Sequence, residues 1–342
     1  FPNPSVTGAA LAATTQNLRI RSGSCVSPLH HPIRIAEEWG VVDNLSDGRV
    51  GLAFAAGWQP NDFIIRPTSY GDQKAVMVEQ IDTVRRLWRG ERVEFENPAG
   101  EQVAVTTLPR PVQPELPVWV TTAGNVETYR LAGSLGANIL THLLGQTLEE
   151  VGEKIVAYRE AREEAGYDPD EGIVTLMLHT FVGDSDESVR EIVREPMKDY
   201  LRSSIKLILG FAWTFPAFKR PGGGEAESPA DIDLESLTDD EVEAILDFAF
   251  DRYFEGSGLF GTPETCGTMV DRCKGVGVDE IACLLDFGVE TETVLESLPL
   301  HKELREDATP GMGTASEAVP RPLSLGQLVR ERGVTHLQCT PS

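Results

Sequence analysis

Residues 18–56 read LRIRSGSCVSPLHHPIRIAEEWGVVDNLSDGRVGLAFAA, and the reading of this stretch decides the fold class. Arg49 to Ala56 is a nearly all-apolar run ending at Gly57-Trp58, as a strand covered on both faces requires. Leu18 to Val26 also has strand character, interrupted by Ser22-Gly23-Ser24, a composition suited to a bulge. Between them, from His31 to Ser46, the apolar residues Ile33, Ile35, Ala36, Trp39, Val42 and Leu45 recur at helical spacing, and Asp47-Gly48 stops the helix. A buried strand, a helix and a second buried strand make one β-α-β unit.

The pattern extends in both directions. Pro4-Ser5 followed by Val6 to Thr15 predicts a short helix with Ser5 as its cap. After an irregular segment from Gln59 to Ser69, Tyr70 to Arg89 predicts a long amphipathic helix, and Val93 to Pro117 a surface hairpin. Strands are expected at Val118–Thr122, Ile139–Leu143, Ile173–Phe181 and Glu280–Leu285, and helices at Asn125–Leu135, Thr147–Ala165, Glu187–Ile208, Asp239–Phe254 and Pro263–Cys273. Arg220 to Asp231, with three consecutive glycines, reads as a mobile loop, and the acidic run Glu225 to Asp240 as solvated chain. Six apolar strands alternating with helices make a parallel α/β fold. Two closures compete, a doubly wound open sheet and an eight-stranded (β/α)8 TIM barrel, which typically needs about 250 residues.

Composition narrows the partners. The 342 residues carry 30 Lys+Arg against 54 Asp+Glu, a formal net charge of −24, and 41% are hydrophobic, enough for a sizeable core. So acidic a chain repels phosphodiester backbones and anionic lipid, so neither nucleic acid nor membrane is expected as partner. No apolar run approaches the roughly 20 residues of a membrane span. Cys25, Cys266, Cys273, Cys283 and Cys339 show no metal-binding spacing, so no metal is expected, and an odd unpatterned set reads as reduced thiols in the cytoplasm. Phe1 to Ser5 has no basic stretch followed by an apolar core, so no signal peptide is expected there.

Parallel α/β folds place their sites at the carboxyl ends of strands. Those ends carry Ser22-Gly23-Ser24 with His30-His31-Pro32, Ala56-Gly57-Trp58, Thr122-Ala123-Gly124-Asn125, Thr141-His142, His179-Thr180 and Asp286-Phe287-Gly288. No Gly-rich phosphate fingerprint, GxSxG elbow or HExxH is present. The step from Gly124-Asn125 into a helix carrying Thr128 could present backbone N–H groups and a hydroxyl to a phosphate, although turn chemistry alone accounts for Gly and Asn there. His31 reads equally as a helix cap or a site residue. His179, inside an apolar strand, reads as a core histidine. Cys25 has no visible activating partner and reads as inert, and Phe211, Trp213 and Phe215 read as either a lid or a helix-end cluster.

The run from Asn3 to Phe63, with HPIRIAEEW, DNLSDGR and GWQPNDF in that order, resembles the central segment of the bacterial luciferase-like flavin monooxygenases. LFGTPETCGTMVDRCKGVGVDEIACLLDFG, residues 259–288, is similar to that family's closing segment. PLHHP, AEEW, LTHLLG and LMLHTF most resemble its branch embedded in polyketide and nonribosomal peptide synthases of secondary metabolism. The resemblance covers about residues 1–305 and favours the barrel. It implies an oxidoreductase that takes reduced FMN from a separate flavin reductase and uses O2 to oxygenate an acyl or aminoacyl intermediate on a carrier protein. Neighbouring megasynthase domains and a homodimer are the other partners it implies. A deazaflavin-dependent oxidoreductase and a non-catalytic structural domain are the alternatives on the same fold.

Carried onto this chain, the resemblance places a non-prolyl cis peptide at Gly23–Ser24 and assigns Ser22, Gly23, Ser24, Ala56, Gly57, Trp58, Gly124, Asn125, Thr128 and Thr141 to the cofactor. His142 and His31 become the candidate catalytic residues. Two departures stand out. Where the family usually has an arginine near the start of the helix after PNDF, this chain has Gln73, with Lys74 beside it. The family's first two strands and its loop with a catalytic histidine would lie ahead of Phe1. At the other end, 306–323 reads as a linker and 324–342 resembles the start of an adenylation domain, which would remove His336 and Cys339 from the site.

Overall fold

The computed structural model describes residues 3–209 and 239–309. They fall into two compact units, the first ending at Thr121 and the second beginning at Thr122. In the first unit, helix α1 (Pro4–Thr14) is capped by Asn3 and not by Ser5: Asn3 Oδ1 accepts the Ser5 N–H at 3.0 Å. Ser5 is instead buried, and its hydroxyl donates to Glu38 Oε2 at 2.6 Å. Pro4 takes the first helical position, where a missing N–H costs nothing, so the cap falls one residue before it.

Strand β1 (Ile20–Val26) runs parallel to β2 (Val50–Ala55), and β2 runs parallel to β5 (Val118–Thr121). Helix α2 (Pro32–Ser46) joins the first two and ends on Asp47 at φ +57 and Gly48 at φ +79, two left-handed residues in succession. Its Asp43 is fully buried and accepts three hydrogen bonds, from the Val112 and Gln113 N–H groups and from Gln113 Nε2, which ties the incoming segment before β5 to the helix. Two short 3-10 turns, Pro60–Ile65 and Pro67–Ser69, lead into α3 (Gln73–Arg89), and β3 (Val93–Glu96) with β4 (Gln102–Val105) forms the expected antiparallel hairpin.

The second unit holds α4 (Val126–Ser134), β6 (Asn138–His142), α5 (Leu148–Glu164), β7 (Val174–Val182), α6 (Asp186–Leu209), α7 (Asp239–Gly256), β8 (Leu259–Gly261), α8 (Pro263–Gly275), β9 (Glu280–Leu284) and α9 (Thr291–Ala308). Strand β7 is its spine: β6, β8 and β9 all pair with it in parallel. Helices α4 and α5 pack so closely that a Cβ on Gly133 would fall 2.5 Å from the Tyr158 carbonyl oxygen. Phe181, Val189, Val193, Met197, Leu246, Phe250 and Phe260 build the apolar core beneath α6 and α7.

All six expected strands are present. Among the described residues one strand and one α-helix are additional: β8, at three residues too short to show a period, and α9, whose Pro299 lies inside the helix. Since α9 runs through Ala308, the first residues expected as linker are helical. The loop at Arg220–Asp231, the acidic run from Glu225 up to residue 238, the cluster Phe211, Trp213 and Phe215, and the tail with His336 and Cys339 lie outside the described residues, while Asp239 and Asp240, expected as solvated chain, open α7. No described helix is long and apolar enough to cross a membrane.

Candidate functional site

At the end of β1 the register slips: Ser22 pairs with Leu52 and Cys25 with Phe54, so Gly23 and Ser24 together stand opposite Ala53. The peptide bond between Gly23 and Ser24 is cis, where the resemblance places one. Ser22 compensates the interrupted ladder. Its Oγ accepts the Ala53 N–H at 3.2 Å and donates to the Ala53 carbonyl at 3.4 Å. Ser22 is therefore a buried splint for the bulge, with its hydroxyl spent on backbone. Ser24 is half-buried, its hydroxyl 2.7 Å from that of Thr121 at the end of β5.

Beyond β2, Gly57 has φ +81, and a Cβ there would fall 2.7 Å from Val26 Cγ1. The next residue, Trp58, is 58% exposed and presents a large apolar surface. Ala56 is half-buried beside it. His31 caps α2 through Nδ1, which accepts the Ile33 N–H at 3.3 Å. Burial first, then the Arg66 and Arg34 guanidinium groups, hold its imidazole below its ordinary pKa, so it is a neutral cap. The Cys25 thiol is pushed up to about 12 by burial and by Glu38, and is inert.

In the second unit, Gly124 has φ +110 and Asn125 caps α4, its Oδ1 accepting the Glu127 N–H at 2.9 Å. Thr128 is half-buried on the first turn. A Cβ on residue 124 would fall 2.8 Å from Gln146 Oε1, so the Gln146 side chain packs directly against the bare backbone of the turn. Thr141 is fully buried, and its hydroxyl donates to the Thr122 carbonyl at 3.0 Å while accepting from Tyr129 Oη and Gln146 Nε2. That hydroxyl has nothing left to offer a cofactor; Thr141 supports the strand end.

His142 follows at the mouth of β6. Its Nδ1 accepts the Leu144 N–H at 3.1 Å, which leaves the proton of the neutral ring on Nε2, and burial holds its pKa below the ordinary value. His179, on β7, is buried with Nδ1 at 2.7 Å from Tyr253 Oη and rings of Tyr200, Tyr253 and Phe287 around it, a satisfied core histidine. Gln146 and Lys154 are not singled out by the sequence: Lys154 is one of many charged residues in the helix expected at Thr147–Ala165, and Gln146 lies just ahead of it. Their contacts with residue 124 come from a sequence separation that no local pattern spans. A cavity of about 290 Å³ lined by Leu259, Val270, Ile281 and Leu304 contains none of the expected site residues.

The sequence model of the luciferase-like monooxygenases matches residues 1–280. The chain belongs to that family. Among curated members of the luciferase-like family, it is 28% identical over 197 residues to the oxygenase component of the flavin-dependent trigonelline monooxygenase of Acinetobacter baylyi, covering 57% of this chain and 54% of that protein. It is 26% identical over 300 residues to the alkanal monooxygenase alpha chain of Photorhabdus luminescens, covering 87% and 80%. Against the first of these and other curated relatives, the chain spans about half of their length. In fold it is similar to the oxygenating constituent of 3,6-diketocamphane monooxygenase from Pseudomonas putida, a structure in complex with FMN, with TM-score 0.68, 21% identity, and 88% and 82% of the two chains covered. The chain thus has the α/β fold of luciferase-like monooxygenases with parallel strands.

Proposed function

We propose that the chain is a flavin-dependent monooxygenase that binds reduced FMN and uses O2 to oxygenate an organic substrate. The observation that carries the reading is the Gly124–Asn125 turn of a luciferase-like chain: a bare backbone at φ +110, a capped helix behind it and a threonine on the first turn. Such a turn offers N–H groups and the positive end of a helix to a phosphate. The donor set fits the phosphate end of FMN, and Gly124, Asn125 and Thr128 would hold it. On the first unit, Gly23, Ser24, Ala56, Gly57 and Trp58 are proposed as contacts of the flavin ring, with the exposed indole of Trp58 as a stacking surface.

Reduced flavin, when bound, supplies the electrons and the reaction with dioxygen. The chain's own residues bind, orient and keep water away. Neutral His142 donates from Nε2 and is the group proposed to hold a proton at the reacting substrate, while His31 acts through the α2 cap.

Finer parts of the reading are proposed with it. The parallel strands belong to a (β/α)8 barrel; a separate reductase delivers the flavin; the substrate is an acyl or aminoacyl group on a carrier protein of a cytoplasmic polyketide or nonribosomal peptide synthase. The likeness of PLHHP and LTHLLG to that branch supports the last of these. Anaerobic titration with reduced FMN and with reduced deazaflavin F420, followed by oxygen uptake with a flavin reductase, tests the reading. FMN binding with oxygen consumption is expected. Preference for F420, or binding of neither, overturns it in favour of hydride transfer or of a structural role.

A further inference from the structure

Lys154 lies on α5, half-buried, and its ammonium donates to Gln146 Oε1 at 2.8 Å. Gln146 is 1% exposed and cannot turn. Both its amide hydrogens are committed, to Thr141 Oγ1 at 3.0 Å and to the His142 carbonyl at 2.7 Å, so its oxygen must face the lysine. The same pair closes on the turn before α4: a Cβ on residue 124 would fall 2.8 Å from Gln146 Oε1 and 3.4 Å from Lys154 Nζ. The ammonium is thus fixed against the backbone of Gly124 by a buried side chain whose every polar atom is used.

The ammonium has three donors, and Gln146 takes one. Among the described residues Lys154 forms no ion pair. Glu150, one turn back on α5, spends Oε2 on the Thr147 N–H in the capping box, and Glu153 points no carboxylate within ion-pair distance. Partial burial lowers the ammonium's pKa, with Glu150 and Glu153 opposing. A cation held beside the positive end of a helix is repelled by it. The arrangement becomes favourable once an anion sits between the two.

We propose that Lys154, oriented by Gln146, is the cation that binds the phosphate of FMN at the Gly124–Asn125 turn. This rests on the flavin reading above and goes beyond it by naming the group that selects FMN over unphosphorylated flavin. Lys154 acts on the phosphate as a point charge and not a bidentate fork.

Riboflavin carries the same ring without the phosphate, so the test compares the two. The full chain and its Lys154→Met and Lys154→Arg variants are titrated with FMN and with riboflavin by flavin fluorescence, with urea unfolding of each variant as the control for folding. Lys154→Met is expected to weaken FMN roughly ten- to a hundred-fold, the usual effect of losing a charged hydrogen bond, while riboflavin affinity stays unchanged and Lys154→Arg recovers most of the loss. Unaltered FMN affinity in Lys154→Met, or equal weakening of both flavins, overturns the assignment and leaves the flavin reading standing. Binding of neither flavin by the unmodified chain overturns both.

Discussion

Tyr253 Oη lies 2.7 Å from His179 Nδ1, and burial fixes the direction of that hydrogen bond. The phenol is driven to higher pKa by desolvation and stays protonated, so it donates. The imidazole is pushed down to about 4, by burial first, then by His142, with Asp286 opposing, so it is neutral and accepts. The proton of His179 therefore resides on Nε2.

The pair makes stability depend on acidity. The folded-state pKa of about 4 lies below the ordinary 6.5, so the unfolded chain binds the proton first as pH falls. The stabilising contribution is complete above pH 6.5 and is lost between there and about 4. At pH 5 the loss is roughly 2 kcal/mol. Urea unfolding at pH 7 and pH 5 should show that difference, and a His179→Phe/Tyr253→Phe double variant should show it reduced. An identical pH slope in the two proteins contradicts the assignment.

Ser22→Ala removes the splint of the β1 bulge. The Ala53 N–H and carbonyl then lose a buried partner, and the unsatisfied groups cost about 1–3 kcal/mol. Thermal or urea unfolding measures it; an unchanged midpoint would show that the bulge needs no side-chain partner.

Asn125→Asp separates capping from phosphate binding. Asp caps a helix about as well as Asn, so the unfolding midpoint should hold. The added negative charge faces the proposed phosphate, so FMN affinity should fall at least about ten-fold with riboflavin affinity intact. Equal FMN binding by both proteins places the phosphate elsewhere.

Trp58→Ala tests a residue that packing does not explain. At 58% exposure its loss should alter stability by less than about 0.5 kcal/mol. Flavin fluorescence titration should nonetheless show weaker binding of FMN and riboflavin alike, because the indole is proposed against the ring. A large loss of stability with binding intact would make it a core residue after all.

Cys25 should resist iodoacetamide in the folded chain at pH 8. With its thiol pushed up to about 12, about one molecule in ten thousand is thiolate there. Cys283, surface-exposed although burial raises its thiol too, with a Thr180 hydrogen bond opposing, is the internal comparison. Mass spectrometry of the labelled peptides reads both, and native alkylation of Cys25 ahead of Cys283 would contradict its burial.

The sequence by itself determined the parallel α/β class and the family. Apolar runs such as Val50–Ala55 and helical spacing from Ile33 to Leu45 are local consequences of burial on two faces or on one. Ser22-Gly23-Ser24 announced the bulge, and Gly124-Asn125 the turn, because left-handed or irregular backbone restricts residue choice locally. Only the tertiary structure decided which polar side chains are free to act. Ser22 and Thr141 look like site hydroxyls in sequence and prove to be spent on backbone and neighbours. Lys154 is one charge among many in its helix and is brought to Gly124 through Gln146. Hydrogen-bond capacity is used up by partners far apart in the chain, and no local pattern records where those partners fall.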